Sequence, residues 1–371
     1  MILTTLVVFV IVISILVFVH EYGHFLLARR LGVKVEEFGF GFPPRIVGFH
    51  RRGTIFSLNW IPFGGFVKLK GETPGTSHDP DSFSAQSKLR RFSILAAGVV
   101  MNYLLAMVLL AIGFSIGLPA AQNSDSPNPR IRQVRQQIIN IEPNSPAGQV
   151  GLTAGDQLVK VNEIPISNSQ DLKDYELKHP NEELTLVVRR RDRELTFKLT
   201  PILVDGQPLI GVNVLGVGTL RYPFPESIWQ GLRATVNVTG QIIKSFGDLL
   251  RDLVVAGRVS PDLAGPVGIV VLTGQAYDLG FAYLLQFVAL LSLTLAVVNF
   301  LPLPALDGGR ALFVIIEKIR GRPVDHRIEA LVHAVGFYVL IGLVLLVSLR
   351  DVNRLGVAQR FIQNLRSLFG S

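Results

Sequence analysis

The sequence contains no cysteine, so no disulfide can staple the chain and no thiolate can hold a metal. Any metal site must therefore be built from histidine and carboxylate. Charge is scarce too. Only 17% of residues are Asp, Glu, Lys or Arg, against about a quarter in a soluble protein. With 49% hydrophobic residues and a mean hydropathy of +0.42, an ordinary soluble chain of 371 residues is excluded. The formal net charge is +8, and the basic residues flank the apolar runs, so lipid and not nucleic acid is the expected partner.

Four apolar runs are long enough for a hydrocarbon core that needs about 20 residues: Ile2 to Leu27, Phe92 to Leu118, Leu284 to Leu303 and Leu331 to Leu349. The first is expected to remain as a spanning helix. It lacks a basic leading region, and His-Glu-Tyr-Gly-His follows it where a cleavage site would stand. Val267 to Leu272 is apolar but interrupted by Gly and Pro, which predicts a helix break or an approach loop. Arg29 to Arg91 and Arg310 to Arg327 are rich in basic residues, which assigns both links to the cytoplasm. The segment from about 120 to 225 and the amino terminus then lie on the other side. Arg350 and Arg354, after the fourth run, depart from that rule.

The segment from Arg130 to Pro201 reads as a small soluble domain. A strand through Ile138, Ile139 and Ile141 precedes a turn at Pro143 to Ala147. Gly151-Leu152-Thr153-Ala154-Gly155-Asp156 then leads into the alternating Leu158 to Val161. Ser169 to Leu177 is an amphipathic helix. Glu183 to Arg189 and Glu194 to Leu199 form a hairpin around a basic tip, Arg190 to Arg193. This order resembles a bacterial PDZ domain, a fold that binds extended chain ends by strand addition.

Chemistry concentrates at His20-Glu21-Tyr22-Gly23-His24. Residues four apart share one helix face, so both imidazoles can reach one metal ion, and Glu21 beside them can accept a proton from an attacking water. The bland alternative is a polar cluster snorkelling to the membrane surface. Three ionisable side chains in an apolar run are too costly for that without a purpose. Zinc needs a third protein ligand, and the best candidate is Asp307, in Leu306-Asp307-Gly308-Gly309 after two prolines that prevent a regular helix. Alone, an Asp before Gly-Gly would be a turn.

His20-Glu21-x-x-His24, Leu306-Asp307-Gly308, the intervening PDZ-like segment and Ala97-Gly98-x-x-x-Asn102 together resemble the site-2 protease family, in its bacterial regulated-intramembrane-proteolysis branch. The resemblance covers nearly the whole chain. It implies an α-helical membrane protein with four transmembrane helices, a membrane-associated β-hairpin and an inserted α/β PDZ-like domain. The expected divisions are 1–120, 130–201, 202–280 and 281–371. It implies Zn2+ as cofactor, held by His20, His24 and Asp307, with Glu21 catalytic. The implied activity is an endopeptidase cutting single-pass transmembrane proteins, such as anti-sigma factors or signal-peptide remnants. The implied location is a bacterial inner membrane or an organelle membrane of bacterial descent. By the same resemblance Asn299 helps hold substrate or the oxyanion. Pro62 to Glu72, with Gly64, Gly65 and Phe66, matches the hairpin that presents substrate as a strand. The chain departs in having one PDZ-like segment where some members have two, and Thr294 where some carry a further Asn.

Two other classes compete. An inactive scaffold would be expected to lose one of His20, Glu21, His24 or Asp307, and all four are present. A zinc transporter would line several helices with polar residues, whereas the second and fourth runs are almost wholly apolar. Ala97 to Asn102 is read first as close helix packing, Trp229 to Gly257 as an amphipathic helix on the membrane surface, and Tyr22 as packing. His50, His78, His179, His326 and His333 have no ligand spacing and are read as loop or interface residues.

Overall fold

The computed structural model describes residues 2–72, 79–122, 128–142, 145–190, 193–204, 206–256 and 264–354. The chain opens with a helix, α1 (Ile2–Arg30), two long strands, β1 (Val35–Arg51) and β2 (Thr54–Leu69), and a second helix, α2 (Lys88–Ile116). A mainly β region follows, with β3 (Leu118–Ala121), β4 (Ile131–Ile141), α3 (Pro146–Gln149), β5 (Gln157–Val161), β6 (Ile164–Pro165) and α4 (Ser169–Lys178). It continues through β7 (Leu184–Arg190), β8 (Arg193–Leu199), β9 (Ile202–Val204), β10 (Gln207–Leu209) and β11 (Val212–Leu220). The rest is helical: α5 (Glu226–Ala256), α6 (Pro266–Leu279), α7 (Phe281–Phe300), α8 (Asp307–Arg320) and α9 (His326–Arg354).

Among the described residues, four helices are long and apolar enough to cross a membrane: α1, α2, α7 and α9. The four expected runs each fall on one of them. Their exposed leucines and valines, such as Leu345, Leu346 and Leu349 on α9, suit hydrocarbon as solvent. The chain forms two compact units, one of Met1–Leu110, Gly231–Gly274 and Phe287–Ser371, the other of Ala111–Gln230 and Gln275–Gln286.

In the first unit, α1 and α2 approach closely because both carry glycine at the contact. A Cβ on Gly23 would lie 2.4 Å from the carbonyl oxygen of Ala97. Ser292 of α7 donates to the carbonyl of Asn102 on α2 at 2.7 Å, which ties the third span to the second. The two long strands pack on α1 through aromatic rings. Phe38 meets Phe18 at 5.6 Å and Phe25 at 5.2 Å, both edge-on, and Ser14 donates to the carbonyl of Pro62 at 3.1 Å. The resemblance placed a hairpin within 62–72, but that segment is one arm of a larger one. Phe38 stands opposite both Phe56 and Val67, so the first part of β1 is flanked on each side by a stretch of β2. Gly65 to Leu69 is consequently an edge; no further strand pairs with it among the described residues.

The break expected at Val267 to Leu272 is instead a helix, α6, with Pro266 as its first residue. Proline suits that place because its missing N–H would have no helical partner. Asp351, buried near the end of α9, accepts from the N–H of Gly265 at 2.9 Å and of Gly268 at 2.7 Å, satisfying two orphan donors of α6. On α5, Trp229, Val236, Ile243 and Leu250 are exposed at seven-residue intervals, the apolar stripe expected of an amphipathic helix.

The second unit is built on a sheet of order β3-β11-β4-β5-β7-β8, with β6 beside β5. It therefore continues past residue 201 to β11. Leu184, Leu186 and Val188 alternate inward along β7 and meet Ile138, Leu158, Val161 and Ile210 in the core. Asn168 and Asp171 close a reciprocal cap on α4. Gly151 and Gly155, both at positive φ, turn the Gly-Leu-x-x-Gly-Asp stretch around the wholly buried Asp156. Arg190 closes on that carboxylate with two bonds of 2.7 Å, so it belongs to this turn and not to a free basic tip. Pro143, Asn144, Arg191 and Asp192, which the sequence reading included in its turn and tip, lie outside the described residues, as does His78.

Candidate metal centre

His20 and His24 project one helical turn apart from α1, and Asp307 is the first residue of α8. The chain folds tightly on entering α8: a Cβ on Gly308 would fall 2.2 Å from the carbonyl oxygen of Leu301, and one on Gly309 2.2 Å from that of Leu303. Only glycine allows the Pro302 to Leu306 loop to close over the helix and turn Asp307 inward.

The three side chains converge. His20 Nε2 lies 2.9 Å from Asp307 Oδ2, His24 Nε2 lies 3.3 Å from the same oxygen, and the two Nε2 atoms are 3.2 Å apart. Ligand atoms on a tetrahedral zinc, each about 2.0–2.1 Å from the ion, stand roughly 3.3 Å from one another. Two imidazoles and one carboxylate at these separations fit zinc with a fourth position open.

The imidazoles are oriented from behind. His24 Nδ1 donates to the carbonyl of Ile94 at 2.8 Å, which leaves the lone pair of Nε2 toward the site. His20 Nδ1 faces the amide of Asn102 at 3.4 Å. Asn102 is wholly buried, and its Oδ1 has no hydrogen-bond partner among the described residues. Turning the amide over lets Oδ1 accept the Nδ1 hydrogen and again frees Nε2. Asn102, read from the sequence first as helix packing, therefore faces the His20 imidazole. Its place in an apolar helix hinted at an interhelical bond; which helix it would meet was not legible.

Glu21 lines a cavity of about 200 Å³ together with His20, Asn102, Asn299 and Asp307, and Val17, Leu295 and Leu306 supply its apolar wall. A Cβ on Gly65 would lie 3.7 Å from Glu21 Cγ, so β2, with Gly64, Gly65 and Phe66, passes beside this carboxylate. One turn beyond Asp307, Arg310 pairs with Glu72, just past the end of β2. Thr294 donates to the carbonyl of Leu290 in its own helix, away from the cavity lining. Tyr22 stacks between Phe18 and Phe25. His179 stacks on Tyr175, and His50 is exposed. His333 is different. Its Nδ1 accepts from the N–H of Ala305 at 2.9 Å, in the loop that leads to Asp307.

The sequence profile of peptidase family M50 matches residues 8–343. A Clostridium perfringens protein carrying the provisional name of zinc metalloprotease is 33% identical over 91% of this chain and 96% of its own length. The zinc metalloprotease RasP of Geobacillus kaustophilus is 30% identical over 95% of this chain and 98% of its own. The regulator of sigma-W protease RasP of Bacillus subtilis is 28% identical over 96% of this chain and the whole of its own. A solved PDZ domain of an SdrC-like protein from Listeria monocytogenes is similar at 22% identity over 23% of this chain and 90% of that one, with a TM-score of 0.21.

Proposed function

The chain belongs to peptidase family M50 and is an integral-membrane zinc metalloprotease acting in regulated proteolysis, and we propose that it cuts transmembrane helices of single-pass proteins at a centre formed by His20, His24 and Asp307. The observation that carries this reading is the convergence of those three side chains, from opposite ends of the sequence, onto one point beside Glu21.

Zinc, when bound there, would lower the pKa of water to about 7 and polarise a scissile carbonyl. The residues of the chain do the rest. Glu21 accepts the proton of the attacking water and returns it to the leaving amine. Asn299, on the same cavity wall, donates to the oxygen on which negative charge develops. Asn102 and the carbonyl of Ile94 hold the imidazoles in the tautomer that presents Nε2. A helical substrate hides its carbonyls in internal hydrogen bonds and must unwind before attack. The edge at Gly65 to Leu69 lies beside Glu21 and offers replacement backbone partners.

The basic links argue for a zinc near the cytoplasmic side of a bacterial inner membrane and for the PDZ-like unit on the other side. The role proposed for that unit is to screen substrates. A relative is named for regulating sigma-W, so an anti-sigma factor is the first substrate to test. Membranes carrying either the wild-type enzyme or Glu21→Gln are compared by sequencing newly formed chain ends. The proposal expects ends inside apolar segments with the wild type and their absence with the variant. Identical ends in both would overturn it.

A further inference from the structure

Ala305 holds a backbone conformation that alanine rarely adopts, with φ +71°, two residues before Asp307. A left-handed alanine persists only where its surroundings fix it. Here its N–H is held by His333 Nδ1 at 2.9 Å, and His333 stands on α9, a helix that supplies nothing to the cavity lining. Because Nδ1 accepts, the ring hydrogen sits on Nε2, which is buried and has no hydrogen-bond partner among the described residues.

The same face of α9 grips the loop a second time. A Cβ on Gly336, three residues on, would lie 2.2 Å from Pro304 Cβ, so backbone packs directly on the proline before Ala305. The ring of Phe313, on α8, stands 5.5 Å from His333 and closes the other side. The loop that delivers Asp307 is thus clamped between α8 and α9 by one hydrogen bond and one close contact.

We propose that His333 is a positioning residue for the metal site: by accepting from Ala305 it fixes the turn that aims the Asp307 carboxylate between the two imidazoles. The inference rests on zinc being held by His20, His24 and Asp307. Without the acceptor, residue 305 relaxes toward an ordinary conformation and the carboxylate swings away from the imidazole nitrogens. The ligand most affected is Asp307, since His20 and His24 are braced independently by Asn102 and Ile94.

The test uses full-length protein purified in detergent, with zinc affinity measured by competition against a chelating dye. His333→Asn keeps an acceptor near the position of Nδ1, and His333→Leu keeps bulk without one. The leucine variant is expected to raise the zinc Kd at least tenfold and to speed hydrogen exchange at residues 303–307 in the metal-free protein. The asparagine variant is expected to stay within threefold of wild type. If His333→Leu does not purify, His333→Ala, which also lacks an acceptor, takes its place with the same expectation. Equal affinity in the acceptor-less variant and wild type, or equal loss in the asparagine and leucine variants, would overturn the proposal. A wild-type protein that binds no zinc would instead overturn the metal site on which it rests.

Discussion

Gly98 has no side chain because His24 occupies the place where one would be: a Cβ there would lie 2.3 Å from His24 Nε2 and 2.8 Å from His20 Cε1. The close contact of α1 with α2 and the metal centre are therefore one construction. Gly98→Ala should lower zinc affinity tenfold or more, since the atom displaced is a proposed zinc ligand. Gly240→Ala on α5, where nothing stands within 4 Å, should leave zinc binding unchanged and add up to about 1 kcal/mol of helix stability. Dye competition and thermal melts on the two variants check both expectations.

Presentation of substrate and binding of metal should come apart at Gly65. A Cβ at that position would meet the carbonyl oxygen of Gly39 at 2.8 Å, forcing the edge strand off its partner. Gly65→Val is therefore expected to cut cleavage of a transmembrane peptide at least tenfold with zinc content unchanged. Loss of zinc in this variant would place the strand in the metal's support and not in substrate handling.

The cluster of His20, His24 and Asp307 was legible because its chemistry is written in local spacing. The His20–His24 interval fixes a shared helix face, and Asp307 stands where prolines and glycines forbid a plain helix. Their supports were not. Asn102 and His333 lie in apolar helices, and their partners depend on which helix faces which. The helix α6 was hidden because Gly265-Pro266 reads as a break, although the same pair suits a helix start. The extent of the long hairpin also escaped the pattern. Phe38 has strand neighbours on both sides, a tertiary fact that alternation cannot carry.

The PDZ-like unit carries its own pH dependence. Glu176 on α4 is buried, which pushes its carboxyl up to about 7, partly offset by the N–H of Ile210. A folded-state pKa above the unfolded value of 4.5 means the stability linked to this group is full below about pH 4.5 and lost as pH rises to about 7. The shift corresponds to roughly 3 kcal/mol. Glu176→Gln should therefore protect residues 145–220 from protease at pH 8, relative to wild type at the same pH, and make little difference near pH 4.5. Equal protection ratios at both pH values would show that burial of this carboxyl does not govern the unit.

The central claim is that His20, His24 and Asp307 hold one zinc ion and that Glu21 does not. Metal content of the purified chain, measured by mass spectrometry of the metal, tests it directly. About one zinc per chain is expected in wild type and in Glu21→Gln, with a large fall in His20→Ala, His24→Ala and Asp307→Ala. Full zinc in Asp307→Ala, or its loss in Glu21→Gln, would contradict the account.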